Sequence, residues 1–184
     1  TEFTVPDIRK APLKMSSVVL ASQRQPNTKK SRNPLVRDGS ELVPNIAHVF
    51  NPDQHLYFFY EVYDPSKDKS PPAAALDAKD KAPAPKNPIH LLTSIQFFIG
   101  KVKAYETPLV EARQMNAPER KAAVFQFDVP LDQLKPGFYT CQVNVIDDAG
   151  GVFLFPRLPI LVREKPTTPA TTATASSPSS GRMR

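Results

Sequence analysis

Cys141 is the only thiol in the 184 residues, and a thiolate is the strongest nucleophile an unassisted chain can offer. To act as one it needs a base beside it and an exposed, basic setting. It lies instead in a run where Tyr139, Cys141, Val143 and Val145 share a face opposite Thr140, Gln142 and Asn144. On an inward strand face a thiol behaves as a small hydrophobe, so Cys141 reads as core. His48, His55 and His90 are scattered, without the paired spacing of a zinc site. There is no Gly-rich phosphate loop, no Gly-x-Ser-x-Gly elbow and no evident carboxylate pair. No residue is assigned to catalysis, to a cofactor or to a metal, and the chain reads as a non-enzyme.

One motif is a near miss. Asp64-Pro65-Ser66-Lys67-Asp68 follows an apolar strand, as does the Asp-x-Ser-x-Ser start of the metal-dependent adhesion site in von Willebrand factor A domains. The fifth position is Asp68 rather than Ser, and the chain lacks the amphipathic helices of that fold. The segment reads as a turn after a strand.

The positioning elements are strands. In LKPGFYTCQVNVID (Leu134–Asp147) a Tyr precedes the Cys by two residues on an alternating run. That is the pattern of the tyrosine-corner strand in immunoglobulin domains. Pro136-Gly137 sets a tight turn, onto which Tyr139 can fold its hydroxyl. With a single Cys no intrachain disulfide can form, so the expectation is a bridge-free immunoglobulin- or fibronectin type III-like β-sandwich.

Alternation gives further strands: Leu13–Ala21, Ile46–Phe50 after an Asp38-Gly39 turn, His55–Asp64, Ser94–Tyr105, Ala123–Val129 and Val152–Val162. In the third, Leu56, Phe58, Tyr60 and Val62 should face the core. His55, Tyr57, Phe59, Glu61 and Tyr63 should form a partly wet face, on which Tyr57, Phe59 and Tyr63 are candidates for a sugar-binding platform. Ile95, Phe97 and Ile99 form one face of the fourth. Pro156 and Pro159 cannot donate to a ladder, which predicts an edge or a bend in the last strand. Between Leu109 and Val124 there is room for a helical turn, interrupted by Pro118.

The composition agrees: 21 Pro against 6 Gly, with 40% hydrophobic residues, disfavours long helices. The formal charge of +6 sits at the ends, with +5 over residues 1–40 and +3 over 163–184, against −2 between them. A nucleic-acid domain would cluster that charge on a folded face, so no nucleic-acid partner is expected. No apolar run is long enough to cross a membrane as a helix. The sandwich is expected over 13–163, after a linker or domain end at 1–12. Residues 64–88 and 164–184, rich in Pro, Ala, Thr, Ser and charge, read as a flexible insertion and a disordered tail. The opening TEFTVPDI, without Met or a signal region, reads as a piece cut from a longer protein.

FTVPDIRKAPLKMSSVVLAS, HLYFFYEVYD, LDQLKPGFYTCQVNVID and GGVFLFPRLPILV occur in that order. Together they resemble the C-terminal region of the von Willebrand factor A-related proteins of Acidobacteria, over about Phe3 to Arg163. The resemblance implies an exported protein of the cell envelope with an A domain upstream and a protein or cell-surface partner. The A domain's metal motif would lie outside this chain. Accessory service to a secreted peptidase or glycosidase and carbohydrate binding are the alternatives.

Overall fold

A computed structural model describes residues 11–29, 31–68 and 88–165. The linker up to residue 10, the bulk of the expected insertion and the tail beyond residue 165 lie outside the described residues.

The described chain is an all-β sandwich of two sheets. The first contains β1 (Lys14–Met15), β2 (Val19–Pro26), β3 (Val36–Arg37), β4 (Ser40–Pro44), β6 (His55–Tyr63) and β10 (Ala122–Pro130). β6 is its axis, paired antiparallel with β10 on one flank and with β1 and β2 on the other. The second contains β5 (Val49–Phe50), β7 (Leu91–Ile99), β8 (Val102–Glu106), β9 (Val110–Ala112), β11 (Gly137–Asp147), β12 (Val152–Leu154) and β13 (Arg157–Val162). Here β11 is central, between β7 and the β12/β13 pair, and β7 is flanked by β8 and β9.

Three expected strands are divided in the structure and a fourth is shortened. Leu13–Ala21 breaks at Ser16–Val18, where the Ser16 N–H donates to the Glu61 carbonyl and the Glu61 N–H donates to Ser16 Oγ. The strand then resumes and runs on to Pro26, beyond the expected end. Ser94–Tyr105 is a hairpin turning at Gly100-Lys101, with Ile99 paired to Val102 and half exposed rather than in the core. Ile46 is almost fully exposed, and only Val49–Phe50 is strand. Val152–Val162 bends between Leu154 and Arg157, as its prolines predict, and its second half lies between β5 and β11. The Asp38-Gly39 turn joins β3 to β4, and the break at Pro118 is a single 3-10 turn, Pro118–Arg120.

The core lies where alternation places it. Leu56, Phe58, Tyr60 and Val62 of β6, Phe125 and Phe127 of β10, Ile95 and Phe97 of β7, and Tyr139, Cys141, Val143 and Val145 of β11 pack between the sheets. Phe58 meets Phe97 edge-on at 5.9 Å, and Tyr60 stacks on Phe125 at 5.4 Å. One polar link crosses this core: the Tyr60 hydroxyl bonds Thr93 Oγ1, which donates to the Asn144 carbonyl at 2.6 Å. Tyr60 and Thr93 are both fully buried.

One end of the sandwich holds the neck of the insertion. Lys67 bridges Ile89, and the Asp68 N–H donates to the Pro88 carbonyl at 2.8 Å. Asp147, buried at the end of β11, accepts from the Ser66 and Gly150 N–H groups at 2.8 and 3.2 Å. The register places β1 at this same end, beside Tyr63, whereas Val162 pairs with Gly137 at the opposite end. The chain thus enters the sandwich at the neck and leaves it at the far end.

Candidate functional site

The chemistry-bearing residues of the sequence are engaged in packing. Cys141 is fully buried, and burial pushes its thiol pKa well above the ordinary value. Tyr139 donates its hydroxyl to the Lys135 carbonyl at 2.7 Å, closing the expected corner over Pro136 and Gly137. Gly137 has φ +152°, a conformation that a side chain would strain.

The three histidines lie apart. His48 Nδ1 is 3.1 Å from the Pro159 carbonyl, His55 contacts Asp128, and His90 lies between Glu111 and Asp148 at 2.9 and 2.8 Å. Among the described residues no group of His, Cys, Asp or Glu is arranged to hold a metal ion. Asp64 pairs with Lys14, and Ser66 is tied to Asp147.

The proposed platform of Tyr57, Phe59 and Tyr63 does not stand. Phe59 is only 3% exposed, under a second cluster of Ala21, Leu42, Ala117, Ala122 and Val124, with Leu35 beside them. Glu61 is equally buried. Tyr63 donates to Glu61 Oε2 at 2.6 Å, while Arg120 Nη2 lies 2.7 Å from Oε1 as a charge contact. That hydrogen bond, with burial, raises the Tyr63 pKa. Phe59 and Glu61 are covered by segments around residues 35 and 117, which approach them only in the folded chain, while Tyr57 and Tyr63 stay partly exposed.

The open, chemically rich face belongs to the other sheet. Register places Arg157, Gln142, Gln96 and Glu106 in one row across β13, β11, β7 and β8. Asn144 and Ser94 pair in the next row, and Thr140 and Phe98 in the row on the other side. These side chains join one another. Arg157 Nε donates to Gln142 Oε1 at 2.8 Å, Gln142 Nε2 to Asn144 Oδ1 at 2.8 Å, and Asn144 Nδ2 to Ser94 Oγ at 3.1 Å. Glu106 accepts from Gln96 Nε2 at 2.9 Å and Lys103 Nζ at 2.5 Å. The Lys103 and Gln96 hydrogen bonds hold the Glu106 carboxyl below its usual pKa. Sequence alternation marks Gln142, Asn144 and Gln96 as outward but cannot give the register that joins them, and Asn144 and Ser94 are in fact buried.

At one end of this belt Phe98, Gly100, Lys101, Thr140 and Arg157 line a recess of about 290 Å³. Beyond the belt the surface turns apolar: Phe138 pairs with Leu161 at one margin, and Phe153 with Ile146 at the other. Phe138 and Phe153 are well exposed. Phe153 stacks on Phe155 at 5.2 Å. No helix among the described residues is long and apolar enough to cross a membrane. No protein-family model matches the chain, and no curated protein matches it.

Proposed function

We propose that this chain is a non-catalytic module, structural or adhesive, of an exported bacterial protein, following a von Willebrand factor A-type domain. The observation that carries the non-catalytic, adhesive part is how the side chains are used. The thiol and the Tyr60, Thr93 and Tyr139 hydroxyls are packed or hydrogen-bonded inside, while one sheet presents the polar row of Arg157, Gln142, Gln96 and Glu106 outward. Such an exterior suits recognition by many weak contacts. The exported setting and the A domain rest on the sequence resemblance alone.

We also assign the sandwich to the immunoglobulin/fibronectin type III class. Lettering β1/β2 as A, β6 as B, β7 as C, β10 as E, β11 as F and β13 as G gives A-B-E in one sheet and C-F-G in the other, the immunoglobulin division. β8 and β9 beside C take the place of an added C′ strand, and Tyr139 sits at the E–F corner.

Antibodies raised against the chain test the placement. They should label intact producing cells, and the full-length product should carry an A-type domain upstream. Labelling only after lysis, or a catalytic domain in that position, overturns the proposal.

A further inference from the structure

The belt on the second sheet has the wrong layout for a protein interface. Protein contacts place an apolar centre inside a polar rim, and here the centre is polar and the margins carry Phe138 and Phe153. The belt also lies on a sheet face, where backbone N–H and C=O groups are already paired, so an added peptide strand has no edge to join.

The belt instead offers fixed amides. Gln142 is held by its neighbours, which leaves its amide nitrogen a second proton for an outside acceptor; Asn144, itself buried, serves to anchor it. Only Nε of the Arg157 guanidinium is engaged, by a neutral amide, so its two terminal nitrogens still present a fork suited to a carboxylate. Lys101 also lines the recess, and neither cation has a carboxylate partner among the described residues. The Thr140 hydroxyl and the Phe98 ring complete the wall, the ring offering an apolar surface to C–H groups.

We propose that the recess and the adjoining amide row bind a carboxylate-bearing polysaccharide, with a uronic-acid residue in the recess and neighbouring sugar rings over Gln142 and Gln96. Two cations fix the carboxylate, the amides meet hydroxyls, and the four strands of the row span roughly 14 Å at ordinary strand spacing. The inference deepens the adhesive reading, on which it rests, by naming what the module holds.

The test uses the full chain in calorimetric titrations at physiological salt, with polygalacturonate as the probe. Fully methyl-esterified polygalacturonate and polyglutamate are the comparisons. Polygalacturonate should bind, and the ester should bind about tenfold or more weakly, the size of one charge-assisted contact. Arg157→Gln should lose a similar factor with thermal unfolding unchanged, and Gln142→Leu a smaller one. Both side chains sit on the sheet's outer face, so neither change opens the core. Absence of polygalacturonate binding overturns the proposal. So does equal binding of polyglutamate, which reports bare charge, or full affinity in Arg157→Gln. Cell-surface labelling is independent of these titrations, so the adhesive reading and the ligand assignment can fail separately.

Discussion

The Tyr60–Thr93–Asn144 link joins the two sheets through the core, and a double-mutant cycle isolates its worth. Tyr60→Phe removes one hydroxyl but leaves Thr93 donating to the Asn144 carbonyl, so it loses one net hydrogen bond, about 1 kcal/mol. Thr93→Val keeps the shape but strands the Tyr60 hydroxyl among Phe125 and Phe127. An unsatisfied buried hydroxyl costs about 1–3 kcal/mol. The double variant has no stranded hydroxyl, so it should be no less stable than Thr93→Val alone. The two changes should therefore fall short of additivity by about 1–2 kcal/mol. Urea unfolding followed by far-ultraviolet circular dichroism is the assay, because the chain contains no Trp and Tyr60 is itself altered. Additivity within about 0.5 kcal/mol, or a harmless Thr93→Val, refutes the coupled link.

Cys141→Ser should cost about 1–3 kcal/mol by burying a hydroxyl without an assured partner, and thiol reagents should label native Cys141 only after unfolding. Tyr139→Phe should cost about 0.5–1.5 kcal/mol through the lost bond to Lys135, read as a lower urea midpoint with an unchanged slope. Burial raises the pKa of Cys141 and of Tyr60 above their ordinary 9.0 and 10.0. The unfolded chain therefore releases these protons first, and stability present below about pH 9 should decline as pH rises; unchanged urea midpoints from pH 8 to 11 contradict this. Replacing residues 69–87 by a short Gly/Ser link should shift stability by less than about 1 kcal/mol, since closure entropy varies slowly with length. Extending the cut into Ser66 should cost more, because its N–H holds buried Asp147; equal midpoints for the two deletions count against the neck.

Much of the architecture is legible because alternation along one strand decides which face is apolar. Phe58, Tyr60, Phe125, Phe127 and Cys141 fall inward on that rule alone, and Tyr139 two residues ahead of Cys141 signals the corner. What escapes depends on distant segments. Phe59 and Glu61 read as a wet face because their cover, around Leu35, Ala117 and Arg120, is remote in sequence. The hairpin at Gly100 is hidden because apolar residues continue through the turn into Val102, although Gly-Lys between alternating runs is a recognisable two-residue connection. The amide belt needs strand register, which single-strand periodicity does not carry.

Entry at the neck and exit at the far end give the sandwich a mechanical axis. A pull between residue 13 and residue 163 runs nearly along the strands, drawing β1 and β2 past β6 one way and β13 past β11 the other. The hydrogen bonds of both terminal strands are then loaded together in shear, instead of opening one at a time. Met15 to Ala21 must slide past β6 as a unit, with Ser16 bonded twice to Glu61. A domain threaded this way carries tension as a strut, keeping its polar face presented while its two ends are drawn apart.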